Sequence, residues 1–185
     1  EAALNANTAF LEGDLFDKDR GKAAFGSWTR ACRAAGGQAG IAISDPFCVE
    51  RHRDDFLALI KDELDYVIGN EAEIKSLWQT EDLEEALVKT AEICPLFACT
   101  LSGDGVTIVS GETRVSVGVE RIVPVDATGA GDGFAAGFLY GLATGADLKT
   151  CGEMGCLVAG EVIRHIGPRA GRDLKALLQE NGLLG

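Results

Sequence analysis

The chain has 185 residues, 46% hydrophobic and 25% charged, a composition that supports one domain with a sizeable core and excludes a disordered chain. With 29 acidic and 17 basic residues the net charge is -12, and Lys and Arg form no run, which argues against a nucleic-acid or anionic-membrane surface. The same balance leaves room for an anionic ligand, because phosphate can be held by backbone donors and Mg²⁺.

An apolar run at 8–11, ending in Glu12-Gly13-Asp14, predicts a strand that enters a turn. Residues 18–35 predict a helix with Ala23, Ala24, Trp28, Ala31 and Ala35 along its inner side, stopped by Gly36-Gly37. A second apolar strand at 39–43 ends at Ser44-Asp45-Pro46. A broken helix over 47–62 follows, with Phe56, Leu57, Leu59 and Ile60 inward, then a third strand over 66–68. His52, flanked by Arg51 and Arg53, is expected in solvent.

A helix start at 69–74 comes next, then an amphipathic helix over 82–93 and a fourth strand over 96–101. Residues 102–105 turn into a β-branched run at 106–109, and Gly111-Glu112 turns again into 114–119, so this stretch reads as a strand and a hairpin. A glycine-rich turn at 126–132 enters an apolar helix with Phe134, Phe138 and Leu142 at i, i+4 and i+8. A further helix over 148–165 would place His165 at its C-terminal dipole, and a short helix closes the chain.

Six cysteines contain no C-x-x-C, and with only His52 and His165 beside them their spacing argues against a zinc site. No apolar run approaches the roughly 18 residues of a membrane span, so the cysteines read as reduced, mostly buried thiols of a cytoplasmic protein. Strands alternating with helices imply βαβ units and a mostly parallel sheet, in which ligands bind beyond the carboxyl ends of the strands. The turns at 69–73, 102–105 and 126–132 are candidates for those ends and could meet at one ligand.

Gly129-Ala130-Gly131-Asp132 is the most chemically suggestive of the three. Glycines flanking a small alanine let backbone N–H groups crowd at a helix N-terminus, which is an anion site by its unpaired donors and dipole. Asp132 sets a carboxylate beside it, the pairing that phosphoryl transfer to an alcohol requires. The same pattern also describes a tight turn into a buried helix with a first-turn acid.

No G-x-x-x-x-G-K-[ST] and no G-x-S-x-G is present, and Phe134 stands where the third glycine of a dinucleotide fingerprint belongs. Asn70-x-x-Glu73 reads both as a capping box and as a carboxylate able to hold hydrated Mg²⁺. Thr100 and Ser102-Gly103-Asp104-Gly105 read either as a plain Asp-Gly turn or as a hydroxyl and glycine cradle for polyphosphate.

Asp126-Ala127-Thr128-Gly129-Ala130-Gly131-Asp132 resembles the D-T-x-G-A-G-D signature of the ribokinase-like (PfkB) carbohydrate and nucleoside kinases, departing only at Ala127. Asn70-x-x-Glu73 matches that family's N-x-x-E, and Thr100 with Gly103-x-Gly105 its nucleotide-binding turn. Phe10 to Leu15, Ile43 to Phe47 and Ile163 to Gly167 are similar to segments of adenosine kinase-like members. The resemblance covers nearly the whole chain.

It implies an α/β fold, a three-layer αβα ribokinase-like domain with a mostly parallel central sheet, of which residues 1–185 are the C-terminal, ATP-binding and base-bearing part. The N-terminal strands, lid and acceptor pocket would lie outside this stretch. The implied activity is ATP-dependent phosphoryl transfer to a hydroxyl of a sugar or nucleoside, an adenosine-like acceptor favoured. Asp132 would be the base, and Gly129, Ala130 and Gly131 the anion hole. Asn70 and Glu73 would organise Mg²⁺ through water, and Thr100, Ser102, Gly103 and Gly105 would lie along the ATP phosphates. Cys156 and Ala159 would fall near the adenine, and Asp126 where a monovalent cation such as K⁺ is held. Two alternatives stay open: a non-catalytic nucleotide-binding or assembly module from a truncated kinase, and a ribose- or fructose-type sugar kinase of the same family.

Overall fold

Each apolar run in the first part of the chain is followed by a helix with one apolar face, and the strands pair in the order in which they occur. The computed structural model describes residues 7–18 and 20–184. Among them, in chain order, are β1 (Thr8–Glu12), α1 (Gly21–Ala34), β2 (Gln38–Ala42), α2 (Pro46–Glu63), β3 (Tyr66–Asn70), α3 (Glu71–Trp78) and α4 (Leu83–Ile93). Then come β4 (Leu96–Thr100), β5 (Val106–Ser110), β6 (Thr113–Val117), α5 (Ala130–Ala143), α6 (Leu148–Val162) and α7 (Leu174–Glu180). The strands form one sheet in the order β1-β2-β3-β4-β5-β6, parallel from β1 to β4. This is the α/β architecture expected from alternating strands and helices. No described helix is long and apolar enough to cross a membrane.

The chain divides into two compact units, one of the residues through Thr100 with Ile108–Arg114, the other of Leu101–Thr107 with Val115 onward. In the first, Ala39, Ile41, Val67, Phe97, Ala98 and Cys99 are fully buried on β2, β3 and β4. Tyr66 lies across Gly40 and donates its hydroxyl to the Ala9 carbonyl at 3.1 Å. Phe16 packs edge-on to Phe25 at 4.9 Å and stacks on Phe56 at 4.5 Å.

That aromatic cluster corrects the expected face of α1. The buried stripe is Gly21, Phe25, Thr29 and Cys32, whereas Ala23, Ala24 and Ala35 are exposed and Trp28 is 40% exposed. Burial of a phenylalanine is worth about 1.5–3 kcal/mol and an alanine methyl far less, so Phe25 sets the orientation. Helix α2 is broken as expected, with non-helical angles at His52 (φ -128, ψ 22), and it buries Phe56 and Ile60.

In the second unit α5 and α6 pack almost backbone to backbone. A Cβ on Gly137 would lie 2.4 Å from the Met154 carbonyl oxygen, and one on Gly155 would lie 2.8 Å from the Phe134 ring. Met154, Val158 and Leu178 form a core there, with Leu157, Leu174, Leu183 and Leu184 against it. The six cysteines are free thiols, five buried and Cys156 half-buried.

Candidate functional site

In the first unit, Asn70 ends β3 and Thr100 ends β4, and the two are register partners at the carboxyl edge of the parallel strands. Asn70 caps α3 as the sequence predicts. Its Oδ1 accepts the Glu73 N–H at 3.0 Å, while the Glu73 carboxylate accepts the Asn70 backbone N–H at 2.8 Å and Nδ2–H at 2.5 Å. Glu73 is only 6% exposed. Burial pushes its carboxyl up from 4.5 to about 7, aided by the negative charges of Asp45, Glu12 and Asp14 and opposed by the Asn70 N–H. The capping reading is therefore present, and so is an acidic setting that favours a nearby cation.

In the second unit, Ser102, Gly103 and Asp104 form a single 3₁₀ turn that leads into β5. Leu101 donates its N–H to the Gly105 carbonyl at 2.7 Å, and Ser102 adopts a left-handed φ of 51°. Gly105 is required twice over: its φ is 95°, and a Cβ there would lie 1.9 Å from the Val117 carbonyl oxygen. Arg121 pairs with Asp104, and its side chain lies alongside Gly103. Sequence reasoning missed this guanidinium; no motif spacing ties it to a turn 17 residues earlier.

The glycine-rich turn is anchored by Asp126. Its Oδ1 accepts the Thr128 N–H at 2.9 Å and its Oδ2 the Gly167 N–H at 2.8 Å; these bonds, Gly167 first, hold its carboxyl below the usual carboxylate range. Val125 donates its N–H to the Ile163 carbonyl at 2.8 Å, so the segment after α6 is tied to the turn before α5. Gly129 has φ 80°, and a Cβ on it would lie 2.6 Å from Pro168.

Helix α5 opens without a side-chain cap. By contrast, Asp45, Asn70, Asp82, Asp147 and Asp173 each cap their own helices, α2, α3, α4, α6 and α7. Ala130 donates its N–H to Ala127 at 3.1 Å, and the next first-turn N–H groups, those of Gly131 and Asp132, belong to the set a helix cannot satisfy internally. Gly131 has no atom within 4 Å of the position a Cβ would take. Asp132 stands exposed in the first turn. The arrangement is an open, donor-lined helix end beside a carboxylate.

Cys156 and Ala159 lie on α6. Ala159 packs against the start of α5, its Cα 3.3 Å from where a Gly133 Cβ would be. Burial pushes the half-buried Cys156 thiol up to about 11. The structure thus brings Asn70, Glu73 and Thr100 to one edge of the first unit. Ser102, Gly103, Gly105, Asp126, Gly129, Ala130, Gly131, Asp132, Cys156 and Ala159 belong to the second.

Two expectations outside these turns are corrected. His52 is not a solvated side chain: its ring is 20% exposed and its Nε2 lies 2.8 Å from Asp17 Oδ1, a partner 35 positions away that neighbouring arginines could not signal. His165 lies beyond the end of α6, with Nε2 2.9 Å from Glu161 Oε1.

The family described as pfkB family carbohydrate kinase matches residues 1–175. Among solved structures, a probable sugar kinase from Rhizobium etli is 42% identical with a TM-score of 0.96, covering 98% of this chain and 56% of that one. An adenosine kinase from Sinorhizobium meliloti is 39% identical with a TM-score of 0.95, covering 97% of this chain and 56% of that one. An uncharacterized sugar kinase from Archaeoglobus fulgidus is 36% identical over 123 residues, 66% of this chain and 48% of that protein. The chain spans about half the length of the curated relatives it matches.

Proposed function

From the premise that this chain belongs to the pfkB family of carbohydrate kinases, we propose that it serves ATP-dependent phosphoryl transfer to a hydroxyl of a small acceptor, a nucleoside of the adenosine type favoured over a sugar. The observation that carries this reading is the start of α5, where a left-handed glycine replaces the side-chain cap and Asp132 stands exposed beside the open N–H groups. The 39% identity to an adenosine kinase supports a nucleoside acceptor, and the 42% identity to a probable sugar kinase keeps a sugar as the alternative.

In this reading the backbone of Gly129, Ala130 and Gly131 stabilises charge developing on the transferring γ-phosphoryl. Asp132 takes the proton from the acceptor hydroxyl as its oxygen attacks phosphorus and ADP leaves. Ser102, Gly103 and Gly105 line the polyphosphate, with Arg121 supplying positive charge once it leaves Asp104. Cys156 and Ala159 offer an apolar wall to the base.

The donor set fits a hard cation. Asn70 and Glu73 present oxygen atoms in a field made negative by Asp45, Glu12 and Asp14, which suits hydrated Mg²⁺ held through water. Mg²⁺ would supply a charge able to neutralise phosphate oxygens. Asp126, ionised and with lone pairs beyond its two backbone bonds, fits a monovalent cation such as K⁺. Free thiols throughout support a cytoplasmic setting.

The test is a transfer assay on the full-length polypeptide with Mg²⁺, ATP and a panel of nucleosides and sugars. Adenosine is expected to be the best acceptor by kcat/KM. Preference for ribose or fructose would overturn the acceptor, and Mg²⁺–ATP binding without transfer to any acceptor would favour a nucleotide-binding module instead.

A further inference from the structure

Asp17, Cys48 and His52 take no part in the site above, yet they offer a carboxylate oxygen, a thiol sulfur and an imidazole nitrogen, all within 4.8 Å of one another. Cys48 and His52 are four positions apart on α2, with His52 at the break in that helix. Asp17 ends the 3₁₀ turn Gly13–Asp17 that follows β1. The Cys48 thiol donates to the Gly13 carbonyl of that turn at 3.5 Å, and His52 Nε2 lies 2.8 Å from Asp17 Oδ1.

We propose that these three residues form a binding site for a divalent cation of the zinc class. One thiolate, one imidazole and one carboxylate are a borderline-soft set that suits Zn²⁺ or Co²⁺ and disfavours Mg²⁺. Zinc bonds of about 2.0–2.3 Å put tetrahedral donors roughly 3.3–3.7 Å apart, so the His52–Asp17 pair, now at 2.8 Å, must open by about half an ångström, while the thiol starts within 4.8 Å of both.

The surroundings support the set. Arg51 donates to both Asp17 oxygens, from Nε to Oδ1 at 3.1 Å and from Nη2 to Oδ2 at 2.5 Å, which fixes the orientation of the carboxylate. The Phe16 ring packs tilted against the imidazole at 6.0 Å. Cys48 is fully buried, whereas the His52 and Asp17 side chains are 20% and 37% exposed, so one side admits the ion and a water as fourth ligand. On coordination the Sγ proton passes to solvent, and the imidazole binds through Nε2 as the neutral tautomer that carries its single N–H at Nδ1. The ion would then clasp the turn after β1 to α2.

The test is titration of the full chain with Co²⁺, read by the thiolate-to-cobalt charge-transfer band. The band should saturate at one Co²⁺ per chain and be displaced by Zn²⁺ but not by Mg²⁺. Cys48→Ser should abolish it, and His52→Gln and Asp17→Asn should each weaken Co²⁺ binding by at least about tenfold. Should Cys48→Ser fail to fold by near-UV circular dichroism, the other two variants decide. No thiolate band at saturating Co²⁺, or binding unchanged in both His52→Gln and Asp17→Asn, would overturn the proposal.

Discussion

Asp126 Oδ2 accepts the backbone N–H of Gly167 at 2.8 Å across 41 positions, fixing the entry to the glycine-rich turn against the segment that follows α6. The same carboxylate holds Thr128 N–H at 2.9 Å, so one side chain organises both strands of backbone that lead to Gly129. Asp126→Ala should therefore abolish amide-exchange protection at Thr128 and Gly167 while leaving that of β2 and β3 intact. Because the folded carboxyl is held below 3.8, this tie is fully present above that pH and is lost only as the pH falls through the lowered value. Unchanged protection at Gly167 in the variant would contradict the assignment.

Two glycines only two positions apart, Gly129 and Gly131, should respond in opposite ways. Gly129→Ala forces a left-handed side chain against Pro168 and should cost about 1–3 kcal/mol or more in denaturant unfolding. Gly131→Ala meets open space within the first turn of α5 and should stabilise by up to about 1 kcal/mol, since alanine is the better helix former. That same methyl would crowd the open N–H groups, so kcat should fall although stability rises. Equal losses of stability in the two variants would rule out this geometry.

Glu73 makes the fold pH-dependent. Its folded carboxyl lies near 7 against an ordinary 4.5, so the native state holds the extra proton. The contribution is whole below about 4.5 and is lost as pH rises through about 7. Between about pH 5 and pH 8 the wild type should lose stability relative to Glu73→Gln, whose unfolding midpoint has no such slope. A cation beside Glu73 favours the ionised form, so Mg²⁺–ATP affinity should weaken as pH falls below about 7 in the wild type and less so in the variant. Parallel stability profiles for the two proteins would remove Glu73 as the titrating group.

Much of this architecture is local and therefore legible. Apolar runs bounded by turn residues mark β1 to β4, Asn70 and Glu73 announce their own helix start, and Phe134 and Phe138 show the buried face of α5. What escaped depends on partners distant in sequence. Alanines and Trp28 suggested one face for α1, but the face is set by Phe25 meeting Phe16. His52 looked solvated beside two arginines until the fold supplied Asp17, and the thiol of Cys48 joined them although cysteine spacing argued against zinc. Arg121 carries no motif at all; its place comes from the hairpin that returns it to Asp104. Of the candidate site, the capping box at Asn70 and the glycine turns at Gly105 and Gly129 were readable because neighbouring residues determine such conformations.

The central claim is that Asp132 is the proton acceptor at an open helix end. Its most direct test compares Asp132→Asn with the wild type in full-length protein, measuring turnover of adenosine with saturating Mg²⁺ and ATP. The amide keeps the shape and removes the base, so kcat should fall by roughly 10²–10⁴-fold while Mg²⁺–ATP affinity and the unfolding midpoint stay close to wild type. Turnover by Asp132→Asn equal to that of the wild type would contradict the account.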